Sequence, residues 1–168
     1  LLDYINPSLD TTIGAISHLL RLLADNPRQW DLLRADPALI PHAINEALRV
    51  ESPVRGFTRV ATADHRIDEV ALPRGARVLM LFGSANRDER KWTDPERFDI
   101  TRKPSDHLGF GFGIHSCVGM NLARLEMRCL LEAMIPRVAR IDVDTVTMSG
   151  NQVLRVIESM SATFTPAT

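Results

Sequence analysis

Cysteine is scarce in this chain, lysine equally so, and long hydrophobic runs are missing. The two cysteines, Cys117 and Cys129, do not form a Cys-x-x-Cys pair, so a structural zinc site is not expected. Carried on one helical stretch, they would stand roughly 18 Å apart at about 1.5 Å per residue. A disulfide tolerates no more than about 7 Å between Cα atoms, so they are not expected to pair with each other. No run of 18 apolar residues occurs, which excludes a membrane-spanning helix within this sequence. Of 20 basic residues only Lys91 and Lys103 are lysine, and the rest are arginine, whose planar fork suits carboxylate pairing. Formal net charge is −1, so neither a nucleic-acid nor an acidic-membrane partner is implied. What is present is ordinary for one globular domain: 168 residues, 45% hydrophobic and 24% charged. The first residue is Leu1, inside an apolar helical pattern, so a natural start is not expected there and no targeting signal can be sought.

Hydrophobic spacing predicts a mainly helical chain with a small antiparallel sheet. Ile5, Leu9, Ile13, Ile16, Leu20 and Leu23 recur at steps of three and four, the mark of a long amphipathic helix. Asn26-Pro27 and Asp36-Pro37 each set a capping residue before a proline, predicting helices over 27–35 and 37–50. Gly56–Thr62, Arg66–Val70 and Ala76–Phe82 read as short strands, the last two joined by a turn at Pro73-Arg74-Gly75. From Gly83 to Gly113 periodicity fades, and loops that long are uncommon unless functional. A helix then resumes over Val118–Ala133, with Leu122, Leu125, Cys129 and Met134 along one side and Cys129 packed in the core. A β-hairpin follows from Ile141, turning at Ser149-Gly150-Asn151.

The stretch from Phe110 to Gly119 carries the most chemistry. Gly111 and Gly113 permit tight turning and positive φ. Cys117 stands where this turn becomes a helix N-terminus, and unpaired N–H groups there favour thiolate over thiol. Such donors also tune a metal bound to the sulfur. Phe110 offers an aromatic wall, and Gly119 lets a flat ligand approach the backbone. A lone cysteine in such a loop would ordinarily be a small buried hydrophobe. Here the whole segment, Phe-Gly-x-Gly-x-His-x-Cys-x-Gly, resembles the haem-ligand signature of the cytochrome P450 family.

That resemblance implies the C-terminal part of one haem-thiolate monooxygenase domain over residues 1–168, with heme b held by Cys117 and its pocket bordered by Phe110, Gly111 and Gly119. It also gives meaning to otherwise weak features. Glu46 and Arg49, three apart on an apolar helix, match the family's Glu-x-x-Arg pair, and Arg97 of Pro95-Glu96-Arg97-Phe98 matches the arginine that joins it. Asp10 and Thr11 match an acid–alcohol pair that delivers protons on the face opposite the thiolate. The family's small-residue kink before that pair is replaced by Pro7-Ser8; by pattern alone Pro7 could equally be the first residue of a helix capped by Asn6. Arg59 and His115 match residues that bond haem propionates, and Val54, Phe57 and Val156 fall in substrate-facing stretches. Arg124 and Arg128 could face an acidic ferredoxin or simply solvent.

The activity implied is insertion of one atom of O2 into an apolar organic small molecule, by hydroxylation or oxidative dealkylation. Electrons would come from NAD(P)H through a ferredoxin reductase and a ferredoxin. The type is bacterial and cytoplasmic, with no nucleic acid and no membrane involved. Pro7 to Thr12, Arg55 to Arg59 and Cys117 to Met120 are similar to enzymes that oxidise para-substituted aromatic carboxylic acids. A peroxide-driven peroxygenase is a competing reading, which the acid–alcohol pair opposes. A non-catalytic haem-binding remnant is another, which the intact signature opposes. The stretch lacks the helices that cover the other haem edge, so alone it is expected to be inactive.

Overall fold

The structure is a computed structural model that describes residues 2–168, with side chains from residue 9 onward. Four longer helices build the frame: α1 (Leu2–Asp25), α2 (Pro27–Ala35), α3 (Ile40–Val50) and, late in the chain, α5 (Met120–Met134). Pro7 therefore falls within α1 and not at its start, whereas the side chains of Ile5, Pro7 and Ser8 lie outside the described ones. The helix foreseen over 37–50 opens as a 3-10 turn, Pro37–Leu39, where Asp36 accepts a hydrogen bond from the Ala38 N–H at 3.1 Å. Asn26 behaves differently from a capping residue: its amide turns back and donates to the Leu22 carbonyl at 2.9 Å.

The apolar stripe of α1 divides. Leu19, Leu22 and Leu23 are buried against α3 and the Trp30 face of α2, but Leu9 and Ile13 remain 55% and 57% exposed. In α5 the buried face is Met127, Leu131 and Met134, whereas Leu122, Leu125 and Cys129 are exposed. The core place foreseen for Cys129 is thus wrong. The side of α5 turned to α3 decides which residues pack, and a residue's own hydrophobicity does not.

Three two-stranded antiparallel sheets complete the fold. β1 (Gly56–Val60) pairs with β4 (Arg77–Leu81), and a hairpin of β2 (His65–Ile67) and β3 (Val70–Leu72) stands between them in sequence. The single strand foreseen over 66–70 is therefore two, broken where Asp68 adopts a left-handed φ of 48°. The long hairpin of β5 (Val138–Met148) and β6 (Ile157–Pro166) is anchored to α2, since Trp30 Nε1 donates to the Ala139 carbonyl at 3.2 Å. A one-turn helix, α4 (Phe82–Ala85), opens the long loop.

That loop is held by charge. Glu46 and Arg49 are both fully buried, and Arg49 donates twice to the Glu46 carboxylate, at 2.8 and 2.9 Å. The same guanidinium donates to the carbonyls of Asn86 and Pro95 at 2.8 Å and of Arg97 at 3.1 Å. It also lies 5.3 Å from the centre of the Trp92 ring. The third charged partner is Arg102, whose Nε reaches Glu46 at 3.2 Å. Arg97 supplies only its carbonyl; its side chain is 63% exposed and faces Asp99. The turn begun by Asp94, at φ 48°, points the Arg97 backbone inward and so its side chain outward. A further turn from Asp99 to Arg102 brings the second arginine back to the carboxylate.

The loop's last part hangs on Asn86 and His107. Asn86 donates to Ser52 and accepts from the Leu108 N–H at 2.7 Å. His107 accepts from the Gly109 N–H at Nδ1, 3.0 Å, which leaves Nε2–H to face the side-chain amide oxygen of Asn45 at 3.4 Å. Burial, reinforced by Arg124 and only partly opposed by Asp106, pushes His107 down to about 4.

These contacts rank three arginines. Arg49→Ala removes the two-point partner of a buried carboxylate together with three loop carbonyl contacts and should cost about 3–5 kcal/mol of stability. Arg102→Ala leaves Glu46 paired and should cost about 1–3 kcal/mol; Arg97→Ala should stay within about 0.5 kcal/mol. Denaturant unfolding measures all three, and equal losses for Arg97 and Arg102 would contradict the assignment. Because the folded His107 titrates below its ordinary 6.5, its contribution is complete above that pH and is lost as pH falls towards about 4. A gap of that size is worth at most about 3 kcal/mol, and His107→Gln should flatten stability-against-pH curves in that window.

Candidate functional site

The loop frame delivers one cysteine to an open face. Gly111 and Gly113 have φ of 72° and 65°, a region that side chains rarely adopt. Between them Phe112 is extended, and after them Gly113–His115 forms a single 3-10 turn. The Cys117 N–H donates back to the Phe110 carbonyl at 2.8 Å, closing the loop upon itself. A Cβ on Gly109 would stand 2.9 Å from both the Leu48 carbonyl oxygen and His107 Nδ1, so this approach to α3 admits only glycine. Cys117 lies just before the α5 cap residue Gly119, and its sulfur is exposed. A Cβ on Gly119 would meet only that sulfur, at 3.9 Å, so glycine leaves the space beside it uncovered.

Several residues flanking Cys117 along the chain are large, apolar and exposed. Phe112, Ile114 and Val118 are 83%, 97% and 73% exposed. His115, in the same turn, is exposed too. Among the described residues no group of three or more His, Cys, Asp and Glu is placed to hold a metal ion. Cys117 thus offers a metal one sulfur donor, with no cluster of further such side chains beside it among those residues. A flat apolar macrocycle with its own donor atoms, resting on exposed apolar side chains beside a glycine, fits this donor set. The residues present suit haem.

The other foreseen site residues occupy separate elements. Asp10 is exposed and Thr11 half-buried on the open, N-terminal part of α1, between the exposed Leu9 and Ile13. Arg59 sits on β1 opposite Val78, and its guanidinium donates to the Thr58 carbonyl at 3.0 Å. Phe57 packs edge-on against Phe82, with 6.1 Å between ring centres. Val54 pairs with Leu154, bringing the segment after α3 beside the segment before β6, where Val156 lies.

On the loop side of Cys117, a groove of about 610 Å³ is lined by Lys91, His107, Phe110, Phe112, Met120 and Arg124, among others. Arg124 stacks 4.8 Å over the Phe110 ring and donates to Asn45 at 3.2 Å; burial lowers its pKa. Arg128 is exposed and paired with Glu132 at 2.7 Å. Sequence reasoning missed Arg102, Asn86 and His107. Asn86 and His107 are polar residues in an aperiodic loop, and no local signal separates a loop residue that folds inward from one that faces solvent.

Comparison with known proteins identifies the family. The family described as Cytochrome P450 matches residues 34–139, well over half of the chain. The chain is 44% identical to Cytochrome p450 CYP199A2 of Rhodopseudomonas palustris, over 97% of its own length and 40% of the relative's. It is 42% identical to Cytochrome P450-terp of a Pseudomonas species, over 80% of the chain and 31% of that protein. Among solved structures, P450BioI in complex with an acyl carrier protein ligated by hexadec-9Z-enoic acid matches with a TM-score of 0.89 at 38% identity, covering 93% of this chain and 41% of that one. Cytochrome P450 CREJ, in complex with (4-ethylphenyl) dihydrogen phosphate, matches with a TM-score of 0.88 at 39% identity, covering 93% and 40%. The chain thus spans at most about two fifths of the length of these relatives. With its family match, its fold and its cysteine loop in agreement, the chain belongs to the cytochrome P450 family.

Proposed function

We propose that the complete protein is a haem-thiolate monooxygenase in which Cys117 is the axial ligand. The observation that carries this reading is the exposed sulfur beside Gly119, at the end of a loop that two left-handed glycines and the Glu46–Arg49–Arg102 cluster hold in place. Haem, when bound, supplies the activation of O2 at iron, and the thiolate favours O–O cleavage. The protein's own residues do the rest. Phe112, Ile114 and Val118 offer apolar area to the ring and exclude water from the sulfur. Arg59 and His115 can each present a nitrogen to a propionate. The exposed Asp10 carboxylate exchanges protons with solvent, and the half-buried Thr11 hydroxyl can pass one on at Oγ1.

Electrons would arrive from NAD(P)H through a ferredoxin reductase and a ferredoxin. In the groove beside Cys117, Arg124 is a cation that suits an acidic partner, while Lys91 there is already paired with Asp106 at 2.9 Å. No described helix is long and apolar enough to cross a membrane, and the reading places the enzyme in the cytoplasm. For substrate we propose a para-substituted aromatic acid. The solved relative CREJ holds a para-ethylphenyl phosphate, which has the same arrangement of ring, para substituent and anion.

The decisive measurement is the reduced, carbon-monoxide-bound absorption spectrum of the complete protein. A thiolate-type Soret band is expected, and Cys117→Ala should abolish it; survival of the band would remove Cys117 as ligand. Thr11→Ala should divert electrons from product into hydrogen peroxide, cutting product per NAD(P)H about 10-fold or more, as loss of a positioned proton donor does. If Thr11→Ala stays fully coupled, Thr11 is not the proton-passing hydroxyl. Turnover by wild type with peroxide alone, at the rate seen with NAD(P)H and partners, would favour the peroxygenase reading.

A further inference from the structure

The cysteine loop is rooted on α3 by a second polar cluster, separate from the one around Glu46. Its centre is the side-chain amide oxygen of Asn45. His107 presents Nε2–H to that oxygen at 3.4 Å, and the Arg124 Nε–H donates to it at 3.2 Å. One atom of α3 thus joins the end of the long loop to α5. His107 also accepts the Gly109 N–H at Nδ1, and Asn86 accepts the Leu108 N–H at 2.7 Å, so both backbone donors just ahead of Phe110 are fixed.

These bonds converge on the Phe110 ring. The His107 ring stands 5.9 Å from it, tilted by 44°, and the Arg124 guanidinium lies 4.8 Å over it. The Phe110 carbonyl in turn accepts the Cys117 N–H at 2.8 Å, so the residue under the guanidinium is bonded directly to the cysteine backbone. Arg124 is half-buried, and among the described residues its partners are the Asn45 amide and this ring, with no carboxylate to neutralise it. Lys91, the other cation of the groove, is paired with Asp106 at 2.9 Å. His107, which burial keeps neutral near pH 7, adds no charge. A single positive charge is therefore held beside the loop in a partly desolvated place, where screening is weak. A docking cation would need neither the ring nor the Asn45 bond.

We propose that Asn45, His107 and Arg124 form a clasp on Phe110 that tunes the reduction potential of iron bound at Cys117, the Arg124 charge raising it. Asn45 and His107 are positioning residues that keep the guanidinium on the ring. The inference rests on the reading of Cys117 as the axial ligand. Reduction of ferric to ferrous iron adds one negative charge at the iron–sulfur unit, and a fixed cation nearby stabilises the more negative state. Arg124 follows Cys117 by seven residues, roughly 10 Å at helical rise. At that range and an effective dielectric constant of about 20, a unit charge shifts such an equilibrium by about 10-fold.

The test is potentiometry of the complete haem-loaded protein with dithionite and mediator dyes, in the absence of any protein partner. Arg124→Gln should disfavour reduction by about 10-fold, a fall of about 59 mV for one electron. Arg124→Lys keeps the charge and should stay within about 3-fold of wild type. Asn45→Asp leaves Arg124 in place but gives it a carboxylate, so it too should disfavour reduction by about 10-fold. That variant keeps the test open if Arg124→Gln binds haem poorly. Unchanged potentials in Arg124→Gln and Asn45→Asp, with the thiolate-type carbon-monoxide band retained, would overturn the clasp alone. So would an Arg124→Gln protein altered only in its rate of reduction by a ferredoxin, since Arg124 would then be a docking residue. Equal falls in Arg124→Lys and Arg124→Gln would overturn the role given to the charge. Absence of that band in wild type would instead overturn the haem-thiolate reading.

Discussion

The Glu46 carboxylate is the point from which the rest of this structure hangs. It is fully buried, on an otherwise apolar face of α3, and a bare charge there would be untenable. Two guanidinium groups and the Asp99 N–H reach it, and through Arg49 it reaches three carbonyls of the long loop. A segment with almost no regular structure is thus given one conformation without a hydrophobic core of its own. Ion pairs of this kind add little net stability over an apolar packing of the same volume. What they add here is placement, because each bond has a direction and a loop fixed by direction can present a single sulfur.

Around that anchor the two faces of α3 serve different neighbours. One face takes the charges; the other joins Leu19, Leu23 and Leu131 in the main core. Val50 and Glu51, where the helix ends, turn to Arg87 and Arg155. One helix of eleven residues therefore positions the loop behind the sulfur and the segment that lies against α1. The cysteine loop and the segment before β6 share one support, so neither can shift without moving the other's attachment. Division of labour follows: buried charge holds geometry, and the exposed residues Cys117, Asp10 and His115 are free to meet ligand or solvent.

Much of this was legible beforehand. The family resemblance rested on six specified positions in ten residues, and the glycines at 111 and 113 do adopt the left-handed backbone that their spacing implied. The prolines at 27 and 37 do open helical segments. Less was legible where a side chain had to choose between inside and outside. Arg97 and Arg102 are both loop arginines next to turns, and only the fold of the loop shows which reaches Glu46. Leu122, Leu125, Cys129 and Met134 read as one side, yet of these only Met134 is buried, together with Met127 and Leu131.

What the sequence determined by itself were the features whose cause is local: left-handed glycines, prolines at helix starts, the identity of the one thiol in the loop, and the family those residues mark. These depend on bonds and contacts a few residues long, so the pattern carries them whole. Only the tertiary structure decided which arginine closes on Glu46, which side of α5 is buried, that the strand at 66–70 breaks in two, and that His107 and Arg124 meet on Asn45. Each of those depends on where a distant segment comes to rest, and a sequence pattern records spacing along the chain but not separation across it.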